Sequence, residues 1–400
     1  MHVREELERI LLGWNQIEIR RGAQPIVDYD CAPDGRSLAP VQDRLDAIHQ
    51  LHLCGTRAER EGELGIAAHA YAHASYARAL LGERQPLAEY VKATQGCDAA
   101  GWPEDYVDAI GQKAIQCLSD LGLPWNAQTE ELLLTQEGLI EPASAPEQLR
   151  AIAADLLPGV RAHTGTQAQF ALNIEQVDVD AYWTCWLDGA GHQVRLRINT
   201  RRARLTPVLL RRFALHELLA HGLQSASWAA AAQDPKADQS WPRLLAVHAL
   251  TQVGLEGLAQ ALPLIVTPND QQLAARIRLD HYTQLVRAEL HLAINAGYSI
   301  SDCAAHARAR VPFWDDAAIA DLLADRSVSP QLRSYLWSYP AGIDWFIHLA
   351  DHADPSTQQA VLHAIYRKPP TPTDLSQLWP SGPPIGGPGA PIRLRHAAVS

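Results

Sequence analysis

The stretch Phe213–Gln224 reads F-A-L-H-E-L-L-A-H-G-L-Q and contains His216, Glu217 and His221. A zinc-binding helix commonly carries two histidines four residues apart with a glutamate after the first, because four residues make about one turn. Here the spacing is five, which on a regular α-helix leaves the rings about 140° apart. A π-helical turn of about 82° per residue reduces this offset to about 50°. The spacing therefore predicts a helix that is widened between Glu217 and Gly222.

The residues before this stretch predict two strands and then a helix. Ala181–Leu187 is aromatic and β-prone, residues 188–191 read D-G-A-G, and Gln193–Ile198 alternates with a period of two. These features are typical of a β-hairpin. Thr206-Pro207 then supplies an N-cap hydroxyl and a proline at the first helical position. We therefore expect a helix from about residue 207 to 224 that carries both histidines.

Most of the remaining sequence has the apolar spacing of helices. The predicted helices span residues 41–57, 63–81, 103–121, 243–264, 270–296 and 301–310. Residues 368–391 are rich in proline and glycine and predict an extended or disordered tail. We expect a mainly α fold with a small antiparallel β-sheet (α+β). Its predicted parts are a helical N-terminal region at 1–160, a domain with the histidine helix at 161–366, and a tail at 367–400.

The composition is that of an ordinary globular protein, with 47% hydrophobic and 20% charged residues. A net charge of −11 argues against nucleic acid or an anionic membrane as a partner. The six cysteines include no C-x-x-C pair, which fits a reducing compartment. The N-terminus lacks the apolar core of a signal peptide, and no run of about 18 apolar residues occurs. We expect a cytoplasmic protein without a membrane span, and the sequence does not indicate an oligomeric state.

A third candidate metal ligand lies downstream of the two histidines. A catalytic zinc site uses about three protein ligands, an open position for water and a carboxylate that accepts the proton of this water. Glu256 is the one acidic residue of the apolar stretch G-L-E-G-L-A at 254–259. Burying an unpaired carboxylate is costly, and a cation is an adequate compensation. Glu256 is therefore the candidate third ligand, beside the two histidines and a candidate base at Glu217.

H-E-x-x-x-H followed by x-E-G-L-A resembles the tyrosine-carboxypeptidase-like metallopeptidases. This family includes the microtubule-associated tyrosine carboxypeptidase and bacterial flavohaemoglobin-expression-modulating QEGLA-motif proteins. The resemblance covers about residues 40–366 and implies a zincin-like metallopeptidase domain with one Zn²⁺ per chain. It implies His216, His221 and Glu256 as zinc ligands and Glu217 as catalytic base. Two positions differ from the family pattern: Leu255 replaces glutamine, and the Lys-Asp pair usual before Tyr335 is missing.

The predicted reaction is hydrolysis of a peptide bond in a peptide or protein substrate. The resemblance implies a carboxypeptidase that removes one C-terminal residue, with an aromatic residue favoured. Two alternatives stay open. One is a metal-dependent amide hydrolase or tailoring enzyme that acts on a modified peptide or a small amide. The other is a non-catalytic metal-binding regulatory protein, against which the intact Glu217 argues, since a purely structural site has no use for a base.

A carboxypeptidase must also hold the terminal carboxylate, normally with arginine, and stabilise the developing oxyanion with a hydrogen-bond donor. Tyr335 is the candidate catalytic donor. The candidate substrate-binding residues are Arg333, Arg326, Tyr339 and Arg195, with Arg276, Arg278 and Arg287 as rivals. Arg195 lies on the second hairpin strand, which we expect to be an edge that an extended peptide joins.

Two other sequence patterns resemble parts of the candidate metal site. His69 and His73 are four residues apart, but no acidic residue follows the first, and packing or a place on a surface face is the expected role. Gln136–Leu139 spells Q-E-G-L in a polar context and predicts a solvated helix end.

Overall fold

A computed structural model describes residues 1–33, 35, 37–181, 183–234, 238 and 240–395 of the chain. The helices before the hairpin are α1 (Val3–Arg20), α2 (Arg44–Glu61), α3 (Leu64–Leu80), α4 (Leu87–Gln95), α5 (Glu104–Asp120), α6 (Thr129–Glu137) and α7 (Ala145–Thr164), with a 3₁₀ turn at Pro142–Ser144. The predicted helices at 41–57, 63–81 and 103–121 are thus confirmed within a few residues.

Helices also make up most of the second half. They are α8 (Pro207–Phe213), a π-helical segment (Ala214–Gly222), α9 (Leu223–Ala232), α10 (Gln252–Val266), α11 (Gln271–Asn295), α12 (Ile300–Arg310), α13 (Asp316–Ser327), α14 (Pro330–Tyr335), α15 (Ser338–His352), α16 (Pro355–Ile365) and α17 (Pro372–Leu378). The helix predicted at 243–264 begins only at Gln252, because Leu244–Leu245 pairs with residues 29–30 as a short strand. None of the described helices combines the length and the apolarity that crossing a membrane requires.

The sheet is small and mixed. Its strands are β1 (Tyr29–Asp30), β2 (Ala171–Val177), β3 (Cys185–Ala190), β4 (Gln193–Asn199) and β5 (Leu244–Leu245), in the order β2-β4-β3-β1-β5. The predicted hairpin is confirmed as the antiparallel pair β3–β4. The prediction of a purely antiparallel sheet is wrong, because β2 runs parallel to β4 and β1 runs parallel to β3. β2 precedes the hairpin in the chain, yet it pairs with the second hairpin strand, β4, rather than with the first, β3. Tyr182, in the predicted first strand, lies outside the described residues.

The helix with the two histidines begins as its sequence predicts. The hydroxyl oxygen of Thr206 accepts a hydrogen bond from the backbone N–H of Leu209 at 3.1 Å. The same hydroxyl donates to a carboxylate oxygen of Glu137 at 2.6 Å. From Pro207, α8, the π-helical segment and α9 continue without interruption to residue 232. The N-terminus of the histidine helix is thus capped and tied to α6.

Glu137 corrects the prediction that the Q-E-G-L stretch is a solvated helix end. Its side chain is 2% exposed and accepts two hydrogen bonds from the guanidinium of Arg276, at 2.8 and 2.9 Å. Arg276 comes from α11, which is distant in the sequence, and also pairs with Glu130. A buried carboxylate is stable here because a buried cation faces it. No local feature of the sequence indicates that partner.

The two largest apolar clusters of the described residues organise the molecule. The smaller one is built from α1, α2 and α3, whose buried residues lie between Val3 and Ala77, and Leu244 contributes to it. The larger core draws residues from Leu87 to Ile385, so that α4, α5 and α7 pack with the histidine helix and the helices after it. The domain boundary near residue 160 stays a prediction.

The proline- and glycine-rich C-terminal segment packs against the body of the protein. It contains α17, whose N-terminus has a capping box formed by Thr371 and Asp374. Further along, Ile385 is 8% exposed, and Ala390 forms a backbone bridge with Gly101. The prediction of an extended or disordered tail is therefore wrong for this part of the segment. Prolines favour a helix here because they occupy its first positions, where no N–H is needed.

Candidate metal centre

The five-residue spacing of the histidines is accommodated by a π-helix, as predicted. The segment Ala214–Gly222 is π-helical, and it contains both histidines and Glu217. As a result, the Nε2 atoms of His216 and His221 lie 3.2 Å apart. Segments of π-helix are rare and are often found at functional sites. The prediction of a widened helix between Glu217 and Gly222 is confirmed.

Glu256 joins the two histidines from α10. Its Oε2 atom lies 3.6 Å from Nε2 of His216 and 3.7 Å from Nε2 of His221. Within the described ranges, these three residues are the one group of three or more His, Cys, Asp or Glu side chains close enough to hold a metal ion. The structure therefore brings together all three residues that the sequence predicts as ligands.

The donor atoms of this group fit a zinc ion. Donor atoms at neighbouring corners of a tetrahedron with bonds of 2.0–2.2 Å lie about 3.3–3.6 Å apart, which matches the observed separations of 3.2, 3.6 and 3.7 Å. The Oε2 atom of Glu256 is buried and accepts no hydrogen bond from the described residues. A buried carboxylate oxygen without such a partner needs another compensation. Two imidazoles and one carboxylate are also a donor set that catalytic zinc sites use.

The electrostatics of the cluster favour opposite charges. Burial by itself would raise the pKa of Glu256, but the adjacent His221 and His216 hold this pKa well below its usual range. Burial likewise opposes protonation of His221, yet the nearby carboxylate of Glu256 raises the pKa of His221 above its usual value. The carboxylate thus needs positive charge beside it, and a bound metal cation supplies such a charge.

A close contact between two helices positions Glu256. Gly257, the next residue of α10, faces Gly342 of α15, and a Cβ atom on Gly257 would lie 2.5 Å from the Gly342 backbone. A side chain at either glycine would push the helices apart. The glycine after Glu256 in the E-G-L-A stretch therefore has a packing role, and it fixes the distance between α10 and its neighbour.

A cavity of about 100 Å³ opens onto the three candidate ligands. Glu217 lines it and is 7% exposed, so the predicted base lies beside the candidate metal site. On the other side, Cys185 and Trp186 of β3 contribute to the wall. Burial raises the pKa of the Cys185 thiol well above its usual value, and nearby Glu217 raises it further. The thiol is therefore protonated at neutral pH and is not an activated nucleophile.

Tyr335 and Tyr339 line the same cavity. The hydroxyl of Tyr335 donates a hydrogen bond to Oε1 of Glu256 at 2.6 Å and lies 2.7 Å from the hydroxyl of Tyr339. Tyr335 was predicted as a catalytic donor, and the structure places its hydroxyl on a candidate metal ligand. Such a hydrogen bond orients the carboxylate, so that one oxygen faces Tyr335 and the other faces the histidines.

The structure does not bring Arg333, a predicted substrate-binding residue, to this cavity. Its Nε donates to Oδ1 of Asn295 at 2.6 Å, and Nη2 donates to the backbone oxygen of Gln85 at 2.8 Å. The guanidinium also lies 5.5 Å from the ring centroid of Tyr90. The side chain is 5% exposed and joins α14 to the N-terminal helices, which sequence spacing does not indicate.

Arg195 also has another role than predicted. The strand that carries it, β4, is paired on both sides by β2 and β3, so it is not an edge for a peptide. Nε of Arg195 donates to Oδ1 of Asp188 on β3 at 2.8 Å. Its role is therefore a cross-strand ion pair.

The other predicted arginines are divided between structural pairs and a second cavity. Arg276 pairs with Glu137, as described above, and Arg278 donates to Asp351 at 2.5 and 2.8 Å. Arg326 and Arg287 line a cavity that shares Tyr339 with the candidate metal site.

Sequence reasoning missed Asp28, which lines the cavity from the segment before β1. Its Oδ2 accepts a hydrogen bond from the backbone N–H of Val247 at 3.0 Å. Burial raises the pKa of Asp28 to about 7. The two-residue strand β1 carries no periodic pattern, so the sequence contains no signal that places Asp28 here.

The other histidine pair is part of the packed interior, as expected. His69 is 3% exposed, and Nδ1 of His73 lies 2.9 Å from Nε2 of His248. Burial lowers the pKa of His248 to about 3 and that of His69 to about 4. These rings are neutral packing residues near neutral pH.

Comparison with known proteins gives a similarity of fold. No family model and no curated protein matches the chain. A solved crystal structure named as "the putative lipoprotein from Colwellia psychrerythraea" is similar, with a TM-score of 0.51 and 14% sequence identity. The match covers 83% of this chain and 59% of that one, so this chain spans less than two thirds of its length. Identity this low relates the two proteins by fold alone.

Proposed function

We propose that the protein is a zinc-dependent metallopeptidase with a zincin-like domain, similar to the tyrosine-carboxypeptidase-like family. The observation that carries the proposal is the π-helical segment, which places Nε2 of His216 3.2 Å from Nε2 of His221, with Oε2 of Glu256 within 3.7 Å of both. A regular helix would separate the two rings. The most direct explanation of the widened helix is that it brings three donor atoms to one ion.

In the proposed reaction, His216, His221 and Glu256 hold the zinc ion. Bound zinc supplies a Lewis acid that polarises the scissile carbonyl and lowers the pKa of a water molecule. The carboxylate of Glu217 accepts the proton of the attacking water and passes it to the leaving amine. Tyr335 keeps the Glu256 carboxylate oriented through its hydrogen bond to Oε1.

The open edge of β3 supports a peptide substrate. The backbone N–H of Gly189 donates to the oxygen of Asp28, so the backbone groups of Gly189 face β1. Because these groups alternate along a strand, those of Leu187 and Cys185 face the same side. On β3, β1 covers only Gly189 and Ala190, and no other described strand continues along this side. Leu187 and Cys185 line the metal cavity, so a peptide that joins this edge passes the candidate catalytic residues.

We propose that this substrate is the C-terminus of a peptide or protein, from which one residue is removed. The setting we propose is the cytoplasm, since all six cysteines are unpaired thiols.

A metal-dependent amide hydrolase or tailoring enzyme that acts on a small amide is the second candidate. The metal cavity of about 100 Å³ favours it, because this volume suits a small group. The open β3 edge favours the peptide. A non-catalytic metal-binding protein does not explain why a carboxylate, Glu217, lines the cavity beside the three ligands.

Metal analysis and a peptide digest test the proposal together. We expect about one zinc per chain in the wild type and in Glu217→Gln, and loss of zinc in Glu256→Ala. With a peptide library and mass spectrometry, the wild type should remove single C-terminal residues and Glu217→Gln should not. Glu131→Gln is the matched control, since Glu131 is an exposed carboxylate paired with Arg204. Full zinc content in Glu256→Ala, or undiminished cleavage in Glu217→Gln, would show that the proposed site is wrong.

A further inference from the structure

A second cavity, of about 530 Å³, lies beside the candidate metal site. Tyr339 lines both cavities, so its side chain forms part of the wall between them. Arg287, Arg326 and Trp314 also line the second cavity. A cavity of this size accommodates a complete amino acid residue with an aromatic side chain. The feature to be explained is the pair of arginines inside it.

Neither arginine is neutralised by a direct ion pair. Arg326 is 6% exposed, and its guanidinium makes one hydrogen bond, from Nη1 to the backbone oxygen of Leu322 at 3.2 Å. In the part of the chain that the structure describes, Arg326 forms no ion pair of 4.0 Å or less, and the carboxylate that acts on it is Asp325. The guanidinium of Arg287 lies 5.3 Å from the ring centroid of Trp314, without a hydrogen bond or ion pair to any described residue. Asp280 likewise acts on Arg287 without a direct ion pair. Two enclosed cations without a direct ion pair are costly, and a bound anion would offset this cost.

Three aspartates line the same cavity, but in the described structure none of them forms a direct ion pair with Arg287 or Arg326. Asp180 and Asp321 lie 4.0 and 3.7 Å from Arg202, a third arginine of the wall. Asp325 lies near Arg326 without forming an ion pair of 4.0 Å or less, and burial raises the pKa of Asp325. Asp180 and Asp321 are thus directed to Arg202, and Asp325 forms no direct ion pair with Arg326.

The two arginines also act on each other. Burial and the like charge of Arg287 together lower the pKa of Arg326 to about 9. Burial lowers the pKa of Arg287 as well. Both groups stay cationic at neutral pH, and a monoanion that contacts both relieves their repulsion. The planar guanidinium is the group that best matches a carboxylate.

We infer that Arg287 and Arg326 bind the free α-carboxylate of the C-terminal residue of a peptide substrate, with this residue in the second cavity and its peptide bond at Glu217. The inference rests on the proposed peptidase function and specifies its substrate class as peptides with a free C-terminus. The ring of Trp314 beside Arg287 provides a surface for an aromatic side chain. Tyr339 lies in the wall between the two cavities, where it contacts the C-terminal residue of the bound peptide.

Binding to an inactive variant tests the inference without depending on turnover. In zinc-loaded Glu217→Gln, a synthetic peptide ending in tyrosine is compared with its C-terminal amide by calorimetry. We expect the free acid to bind about ten- to a hundredfold more tightly, since a hydrogen bond to a charged group contributes that much. Adding Arg287→Gln should reduce this ratio to near one without changing the zinc content. Arg308→Gln, which removes an exposed arginine paired with Asp316, should keep the ratio.

The second arginine is tested with two substitutions. Arg326→Gln should lower the acid-to-amide ratio, and Arg326→Lys should restore part of it, because the charge returns. If Arg326→Gln fails to fold, the more exposed Arg287 still decides the matter. Equal binding of acid and amide in the parent protein would overturn the inference, and so would an unchanged ratio in Arg287→Gln.

The binding experiment also separates this inference from the proposed function. A preference for the acid together with no hydrolysis by the wild type would refute the peptidase and keep the carboxylate site. Hydrolysis of acid and amide at equal rates would keep the peptidase and refute the carboxylate site.

Discussion

Replacing Gly257 with alanine should disturb the candidate metal site without changing any ligand. Gly257 follows Glu256 in α10 and packs on Gly342 of α15. A Cβ atom at Gly257 would lie 2.5 Å from both the Cα and the carbonyl carbon of Gly342. These are backbone atoms, so no side-chain rotation relieves the overlap. The two helices must move apart by about 1 Å to reach ordinary van der Waals contact.

This displacement has two measurable effects. Overpacking typically costs about 1–3 kcal/mol, while alanine in a helix gains up to about 1 kcal/mol over glycine, so we expect a net destabilisation of about 1–2 kcal/mol. The carboxylate of Glu256 moves with α10, and metal–ligand distances tolerate only about 0.2 Å of change. Zinc affinity should therefore fall at least about tenfold.

Urea unfolding and zinc competition with a chelator measure both effects. The control is Gly159→Ala in α7, because a Cβ atom there meets only Val266, at 3.5 Å. This control should keep zinc affinity and gain stability from helix propensity. If Gly257→Ala binds zinc as tightly as the wild type, the glycine contact does not set the position of Glu256.

Three further predictions concern other contacts. Tyr335→Phe removes the 2.6 Å hydrogen bond to Glu256, and zinc affinity in chelator competition should fall about tenfold. Burial lowers the pKa of His69 to about 4. Below pH 6.5 the unfolded chain takes up the proton first, so the stability present above pH 6.5 is lost as pH falls toward 4, by about 2 kcal/mol between pH 7 and 5. His69→Leu should remove this share of the loss in urea unfolding. Arg276→Gln leaves the buried Glu137 without its cation and should cost about 3 kcal/mol in the same assay.

Each of these predictions has an outcome that contradicts it. Unchanged zinc affinity in Tyr335→Phe would mean that Glu256 is oriented by other contacts. The same pH dependence in His69→Leu and wild type would show that this ring does not titrate between the folded and unfolded states. A cost below about 1 kcal/mol for Arg276→Gln would show that water replaces the guanidinium at Glu137.

The predicted helices and the hairpin agree with the structure where the signal is local. Helical apolar spacing, the Thr206-Pro207 start and the D-G-A-G turn act over a few residues, and the structure confirms what they predict. The strands β1 and β5 escaped prediction because each has two residues and exists only by pairing with distant chain. The first part of the helix predicted at 243–264, residues 243–251, is wrong for the same reason, since pairing to β1 replaces local helical preference.

The candidate site likewise contains some residues that the sequence indicates and others that it does not. His216, Glu217 and His221 are neighbours in sequence, and Glu256 is noticeable as a single charge in an apolar helix. The arginines gave no such signal, because a guanidinium is equally common in a surface ion pair and in a binding cavity. Of the predicted substrate-binding arginines, Arg326 lines the cavity that shares Tyr339 with the site, and Arg287 was one rival among three.

The sequence by itself determined the helical character of the chain, the hairpin, and the widened turn that five-residue histidine spacing requires. These features follow from backbone geometry and from contacts between side chains a few residues apart. Such local contacts can be predicted from the order of the residues alone. Only the tertiary structure decided the mixed sheet, the open edge of β3, the Gly257–Gly342 contact and the two arginines near Tyr339 that form no ion pair with any described residue. Each of these joins segments far apart in the chain, so each depends on how whole elements pack and on which charges remain without partners once they have packed.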